Sequence, residues 1–226
     1  MSIKIEGHSI EMQLRYNFTF NFLVGAASLT KMSLEIENKG KSSTDHEQLQ
    51  HKSFVAGAIM QSVAALESEV WSLLYHGPGH HLGSDGLDKD AKDTLSIVAD
   101  TFERESVLTK YDLILQLIRR KKLDLGIQPM QDLGLIINLR NELIHFKSLW
   151  TNELERKKIF KLLEEKDSTP PPYKPNGYQN FFPYICLTYR RAKWTLDTVV
   201  TFIEYYYKQL GIKSPIDGQD KSLITV

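Results

Sequence analysis

Arg140 has Ile136, Ile137, Leu143 and Ile144 as its neighbours three and four positions away, the spacing that shares one face of a helix. A guanidinium in such an apolar stripe is costly to desolvate unless it is paired. The same test applied to residues 47–75 picks out Glu67, flanked at that spacing by Val63, Ala64, Val70 and Trp71. The opposite signs imply that Glu67 and Arg140 meet across a helix–helix contact, the carboxylate holding the guanidinium in one orientation. Glu69, with partly polar neighbours, is the poorer partner. His145 follows Arg140 by five residues, a rotation of about 140°, so the two side chains flank Asn141 at the edge between core and solvent. An imidazole transfers protons near neutral pH, and a guanidinium neutralises a phosphate oxyanion without a metal. The combination suits cleavage of a phosphodiester in RNA, where the neighbouring 2′-hydroxyl is the nucleophile. Residue types alone leave a purely structural ion pair open.

The elements that must position these groups read as helices. Residues 10–37 begin with Tyr16, Phe18, Phe20 and Phe22 in strand-like alternation, but Met12, Tyr16, Phe20, Leu23 and Ala27 also form a helical stripe, and helix is the expectation. A polar break at 38–45 leads into a long helix over 47–75, carrying Val55, Ile59, Val63, Leu66 and Val70. A second helix is expected over 94–122, broken near 104–107, a third over 130–148, an amphipathic stretch over 151–166 and a last helix over 184–211, with Gly211 as its C-cap. Residues 76–93 are rich in Gly, His and Asp and read as a surface loop. Four prolines between Pro170 and Pro175 exclude regular structure there. The fold class is therefore all-α, an up-down helical bundle with an N-terminal helical extension (1–44), a helical domain (45–211), a Pro-rich loop within it (168–183) and a flexible tail (212–226).

Composition narrows the function. The chain of 226 residues balances 28 Lys+Arg against 28 Asp+Glu, which excludes a uniform polycation for nucleic acid. A content of 42% hydrophobic and 25% charged residues excludes a disordered chain. Cys186 is the only cysteine, so an intramolecular disulfide framework and a thiolate-rich zinc site are excluded. No window reaches the roughly 20 apolar residues of a membrane span, and a cytoplasmic location without membrane partners is expected. His76, His80 and His81 lie in a Gly- and Pro-containing stretch without the fixed spacing of a metal site, and no cofactor or metal is expected. The basic runs Arg119-Arg120-Lys121-Lys122 and Arg190-Arg191 are candidates to track an RNA backbone, though such runs are ordinarily solvated helix ends. Tyr205-Tyr206-Tyr207 places at least one ring off the core stripe, to stack a base or seal a dimer.

The segment Leu139-Arg140-Asn141-Glu142-Leu143-Ile144-His145-Phe146 resembles the signature of HEPN domains, an all-α superfamily whose ribonuclease members carry Arg, a polar residue, three further residues and His. Ala64-Ala65-Leu66-Glu67 is similar to the acidic early helix of that family, Lys110-Tyr111 to the segment preceding its motif, and Trp194 falls where its closing helix lies. The resemblance covers about 45–211. It implies a homodimer with two motifs facing one cleft, and a metal-independent endoribonuclease with Arg140 and His145 as the catalytic pair, Asn141 positioning and Glu67 supporting. It also implies a role as a toxin or an antiviral or stress effector, with an antitoxin or other partner protein. One subgroup is adenylylated on a tyrosine two residues after the histidine, where this chain has Lys147, so that antitoxin mechanism is not expected. Other members are non-catalytic modules that bind RNA, nucleotide or protein.

Overall fold

The computed structural model describes residues 17–75, 87–146, 158–167, 169, 171–173 and 186–226, together with strands at Ser2–Ile5 and His8–Glu11. The two strands, β1 and β2, pair antiparallel. Everything else regular among the described residues is helical, and the fold is an all-α bundle. The helix expected from residue 10 starts only at Thr19, because β2 takes 8–11 and Asn17 forms the N-terminal stop, its Oδ1 accepting from Thr19 N at 2.7 Å.

Helix α1 (Thr19–Lys39) and helix α2 (Asp45–Leu74) form an antiparallel hairpin. Gly40, at φ +54°, ends α1 in a conformation that suits glycine. Thr44 then starts α2 through a reciprocal cap, its Oγ1 accepting from Glu47 N while Glu47 Oε2 accepts from Thr44 N at 2.8 Å. Cross-contacts fix the register: Asn17 reaches Glu69, Thr19 reaches the Ala65 carbonyl, and Glu37 reaches His51. Gly25 sits where α1 runs against Gln61, and an added Cβ would collide with that side chain.

Among the described residues four further helices and one short one join the bundle. Helix α3 (Lys89–Val98) is capped by Asp88, and a 3-10 turn (Asp100–Phe102) separates it from α4 (Val107–Arg119), capped by Ser106. The break expected within 94–122 is therefore present. Helix α5 (Met130–Ile144) stops four residues short of the expected end, α6 spans Lys158–Lys166, and α7 (Tyr189–Leu210) ends on Gly211 at φ +68°. The main core joins Leu23, Ala26 and Ala27 of α1 to Leu66, Val70 and Leu73 of α2, Tyr111 and Ile114 of α4 and Phe202 and Tyr206 of α7. Each fully buried large aliphatic side chain here contributes about 1.5–3 kcal/mol of apolar burial. Tyr111 ties three helices together, donating to the Leu66 carbonyl and accepting at its own carbonyl from Tyr206 Oη. A second cluster packs Leu135 and Leu139 of α5 against Val55 and Ile59 of α2, Leu163 of α6 and Ala192 of α7.

Two expected divisions do not coincide with gaps in the packing. Helix α1 contributes Leu23, Ala26 and Ala27 to the same core as α2 and α7. Residues of the C-terminal segment join that core as well. Ile216 is fully buried and Ile224 nearly so, in a segment shaped by Ser214 N on Asp217 Oδ2 and by Asp220, which caps a 3-10 turn at Lys221–Ile224. Lys221 also pairs with Glu204 of α7. Ile216→Ala should therefore lower unfolding free energy by about 2–5 kcal/mol, read from urea titration, whereas a frayed tail would show no change.

Candidate active site

Helix α5 brings Arg140 to α2 because Ile136 and Leu139 bury one side of it and leave Arg140 at the margin. Arg140 Nη2 donates to Glu67 Oε1, the ion pair that the opposed charges imply. The pair is not enclosed in the core: the Arg140 side chain is 17% exposed and that of Glu67 46%. A cavity of about 260 Å³ opens beside it between α2, α4 and α5. Glu67, Trp71, Ser106, Lys110, Arg140 and Asn141 line it. Lys110 is the group that sequence reasoning did not assign to the site. It is buried, its Nζ donates to the Glu103 carbonyl at 3.0 Å and sits 4.1 Å from the centroid of the Trp71 ring. Burial pushes its pKa below the usual lysine value, against the pull of Glu67, Glu103 and Glu105. The cavity thus gathers a guanidinium, an ammonium and an amide against two carboxylates, Glu67 and Glu105, a set that can bind one anionic group in a fixed orientation.

His145 stands apart from this cavity. It is the C-cap of α5, with its N–H bonded to the Asn141 carbonyl at 2.9 Å, and its side chain is exposed and not part of the cavity lining. Asn141 is therefore the link, lining the cavity and holding the His145 turn with its carbonyl. Because the helix ends at Ile144, the direction of His145 is not set by helical rotation. Ile144 and Phe146 on either side of it are exposed, by 49% and 44%.

Other expected site residues take structural places. Arg119 donates Nε to the Leu210 carbonyl at 2.6 Å, satisfying the end of α7, and Arg120 adopts φ +55° to terminate α4. Arg120, Lys121 and Lys122 are exposed, as is Arg190. Arg191 is only 3% exposed, its Nη2 donating to the Leu163 and Asp167 carbonyls at the end of α6. It is thus unavailable to a nucleic-acid backbone running over the surface, correcting its expected place in a surface stripe. Tyr206 and Tyr207 are core residues and Tyr205 is half-buried against the core. Glu69, set aside as a partner for Arg140, is the buried carboxylate of α2, accepting from Asn17 Nδ2 at 3.0 Å and from Tyr207 Oη. His51 is fully buried between Glu37 Oε1 at 2.9 Å and Tyr173 Oη at 2.8 Å. The histidines at 76, 80 and 81 and most of the Pro-rich stretch lie outside the described residues, and among the described residues no group of His, Cys, Asp and Glu has the arrangement of a metal site.

Compared with family models, curated proteins and solved structures, the chain has no match. Among the described residues no helix is long and apolar enough to cross a membrane. Glu67 and Glu69 of α2 give a direct contrast. Glu69→Ala strands the buried Tyr207 hydroxyl and should cost about 1–3 kcal/mol, while Glu67→Ala, at an exposed pair, should cost under about 1 kcal/mol, both measured by chemical denaturation.

Proposed function

We propose that the protein is a HEPN-type endoribonuclease that cleaves RNA by attack of a 2′-hydroxyl on the adjacent phosphate. The observation that supports this reading is the Arg140–Glu67 pair, which holds a guanidinium at the mouth of a polar cavity beside Asn141, one turn before His145. Glu67 occupies one edge of the guanidinium, and its remaining donors are left for a phosphate oxygen. In the proposed step His145 removes the 2′-proton, the new O2′–P bond forms, and charge on the pentavalent phosphorane is neutralised by Arg140 with Lys110 nearby. The P–O5′ bond then breaks, and the leaving oxygen takes a proton from an imidazolium, giving a 2′,3′-cyclic phosphate and a free 5′-hydroxyl. No metal has a part in this sequence, since fixed cations carry out the charge neutralisation.

The exposed position of His145 is compatible with a composite site. Ile144 and Phe146 form an apolar edge around it, and a two-fold association covering that edge would bring two His145 side chains into one cleft, one as base and one as acid. Arg120, Lys121 and Lys122 offer an exposed basic run for the flanking strand. A toxin or stress-effector role follows from the same reading. The second reading, a binding module without catalysis, is favoured by His145 lying outside the cavity lining: Arg140, Lys110 and Asn141 by themselves suffice to hold an anion.

Incubation of the purified full chain with total RNA in chelator separates the two. Cleavage with cyclic-phosphate ends is expected, falling by about 100-fold or more in His145→Ala. Equal cleavage by the variant refutes the catalytic assignment, and absence of cleavage by a folded, dimeric wild type supports the binding module.

A further inference from the structure

Helix α7 opens with Tyr189, Arg190 and Arg191 and has no acid in its first turn. The N-terminal end of a 22-residue helix already carries partial positive charge and favours anions, so two arginines there oppose the helix's own field. A third cation, Lys166 at the end of α6, converges on the same place. Lys166, Asp167, Arg190, Arg191 and Trp194 line a cavity of about 350 Å³. The two acids nearby, Asp132 and Asp167, offset only part of the charge of these three cations. Asp132 is occupied by Lys166 at 2.7 Å and Trp194 Nε1 at 3.2 Å, while Asp167 Oδ1 accepts from Thr169 N at 2.9 Å. Among the described residues Arg190 has no carboxylate partner. An independent observation lies within the wall. Arg191 is 3% exposed and its Nε has no hydrogen-bond partner, although its Nη2 is fully used on two carbonyls. A buried donor without an acceptor is rare in folded proteins, and it leaves the guanidinium charge in the cavity wall only partly compensated.

We propose that this cavity is a phosphate-binding site, in which Arg190 and Lys166 contact the phosphoryl oxygens, Arg191 supplies positive charge from the wall and Trp194 bounds the ester side. It is built from α6 and α7, shares no lining residue with the Arg140 cavity and does not require that the protein cleave RNA. The phosphate has two possible sources, a free phosphate or mononucleotide and the phosphodiester of a single strand, and both present the same oxyanion to these cations.

Calorimetric titration of the full chain with inorganic phosphate, with AMP and with a short single-stranded RNA bearing 2′-O-methyl groups tests the site without interference from cleavage. Binding of at least one probe is expected, weakened about tenfold or more in Arg190→Gln and in Lys166→Gln, two substitutions at exposed side chains whose melting curves should match wild type. Binding of phosphate and AMP points to the free source, and binding of the RNA alone to the phosphodiester. Failure of all three probes with wild type overturns the proposal, as does equal binding by wild type and both variants. Cleavage of unmodified RNA by Arg190→Gln is a separate readout, so failure of the ribonuclease reading and failure of this site are told apart.

Discussion

A carboxylate buried in a helical bundle must be surrounded by donors, and Glu69 sets the arrangement of this one. Its two oxygens take Asn17 from the segment entering α1 and Tyr207 from α7, so three parts of the chain distant in sequence share one acceptor group. Burial and that acid together push the Tyr207 hydroxyl pKa well above its ordinary value, keeping it a donor. Two positions earlier on α2 is Glu67. Two residues correspond to a rotation of about 200°, so anchoring Glu69 against α1 and α7 turns Glu67 to the opposite side, toward α4 and α5. The position of Arg140 is in that sense decided on the far side of the helix.

The two cavities divide α5 between them. Asp132 in its first turn holds Lys166 and Trp194 on the α6–α7 side, and Arg140 in its last turns faces α2. The eight-position step from Asp132 to Arg140 corresponds to about 12 Å along the axis. The Arg140 cavity is balanced by Glu67 and Glu105, whereas the α6–α7 cavity keeps a surplus of positive charge. A balanced site selects by geometry, and a surplus site by charge.

Much of this was legible in the sequence because it rests on local rules. The long α2, the interruption before α4, the glycine stop of α7 and the pairing of Glu67 with Arg140 all follow from three- and four-residue spacing. The failures have physical reasons too. Ser72 made the neighbourhood of Glu69 look polar, although Ala65, Leu66 and Leu73 complete it, and so the wrong acid was read as the more buried. Arg191 has Leu187, Thr188, Trp194 and Thr195 at the same spacing, a mixed neighbourhood within a basic run, and its burial comes from the distant Leu163 and Asp167 carbonyls that it bonds. His51 is enclosed by Glu37 and Tyr173, 14 and 122 residues away, and no local pattern contains that information. The end of α5 at Ile144 was likewise not visible, since the apolar stripe continues past it.

The hairpin of α1 and α2 also governs how much chain entropy each contact must overcome. Its contacts run from Lys39–Glu47, eight residues apart, to Asn17–Glu69, 52 apart. Loop-closure cost grows only logarithmically with length, so the hairpin can gain its contacts one after another outward from Gly40, each closing a loop little longer than the last. Helix α7 joins in larger steps, from the Leu163 carbonyl 28 residues away to Asp132 at 62 and Tyr111 at 95. Its bonds to Glu37 and Glu69 span 152 and 138 residues, and they bring return only once the surface they seal already exists.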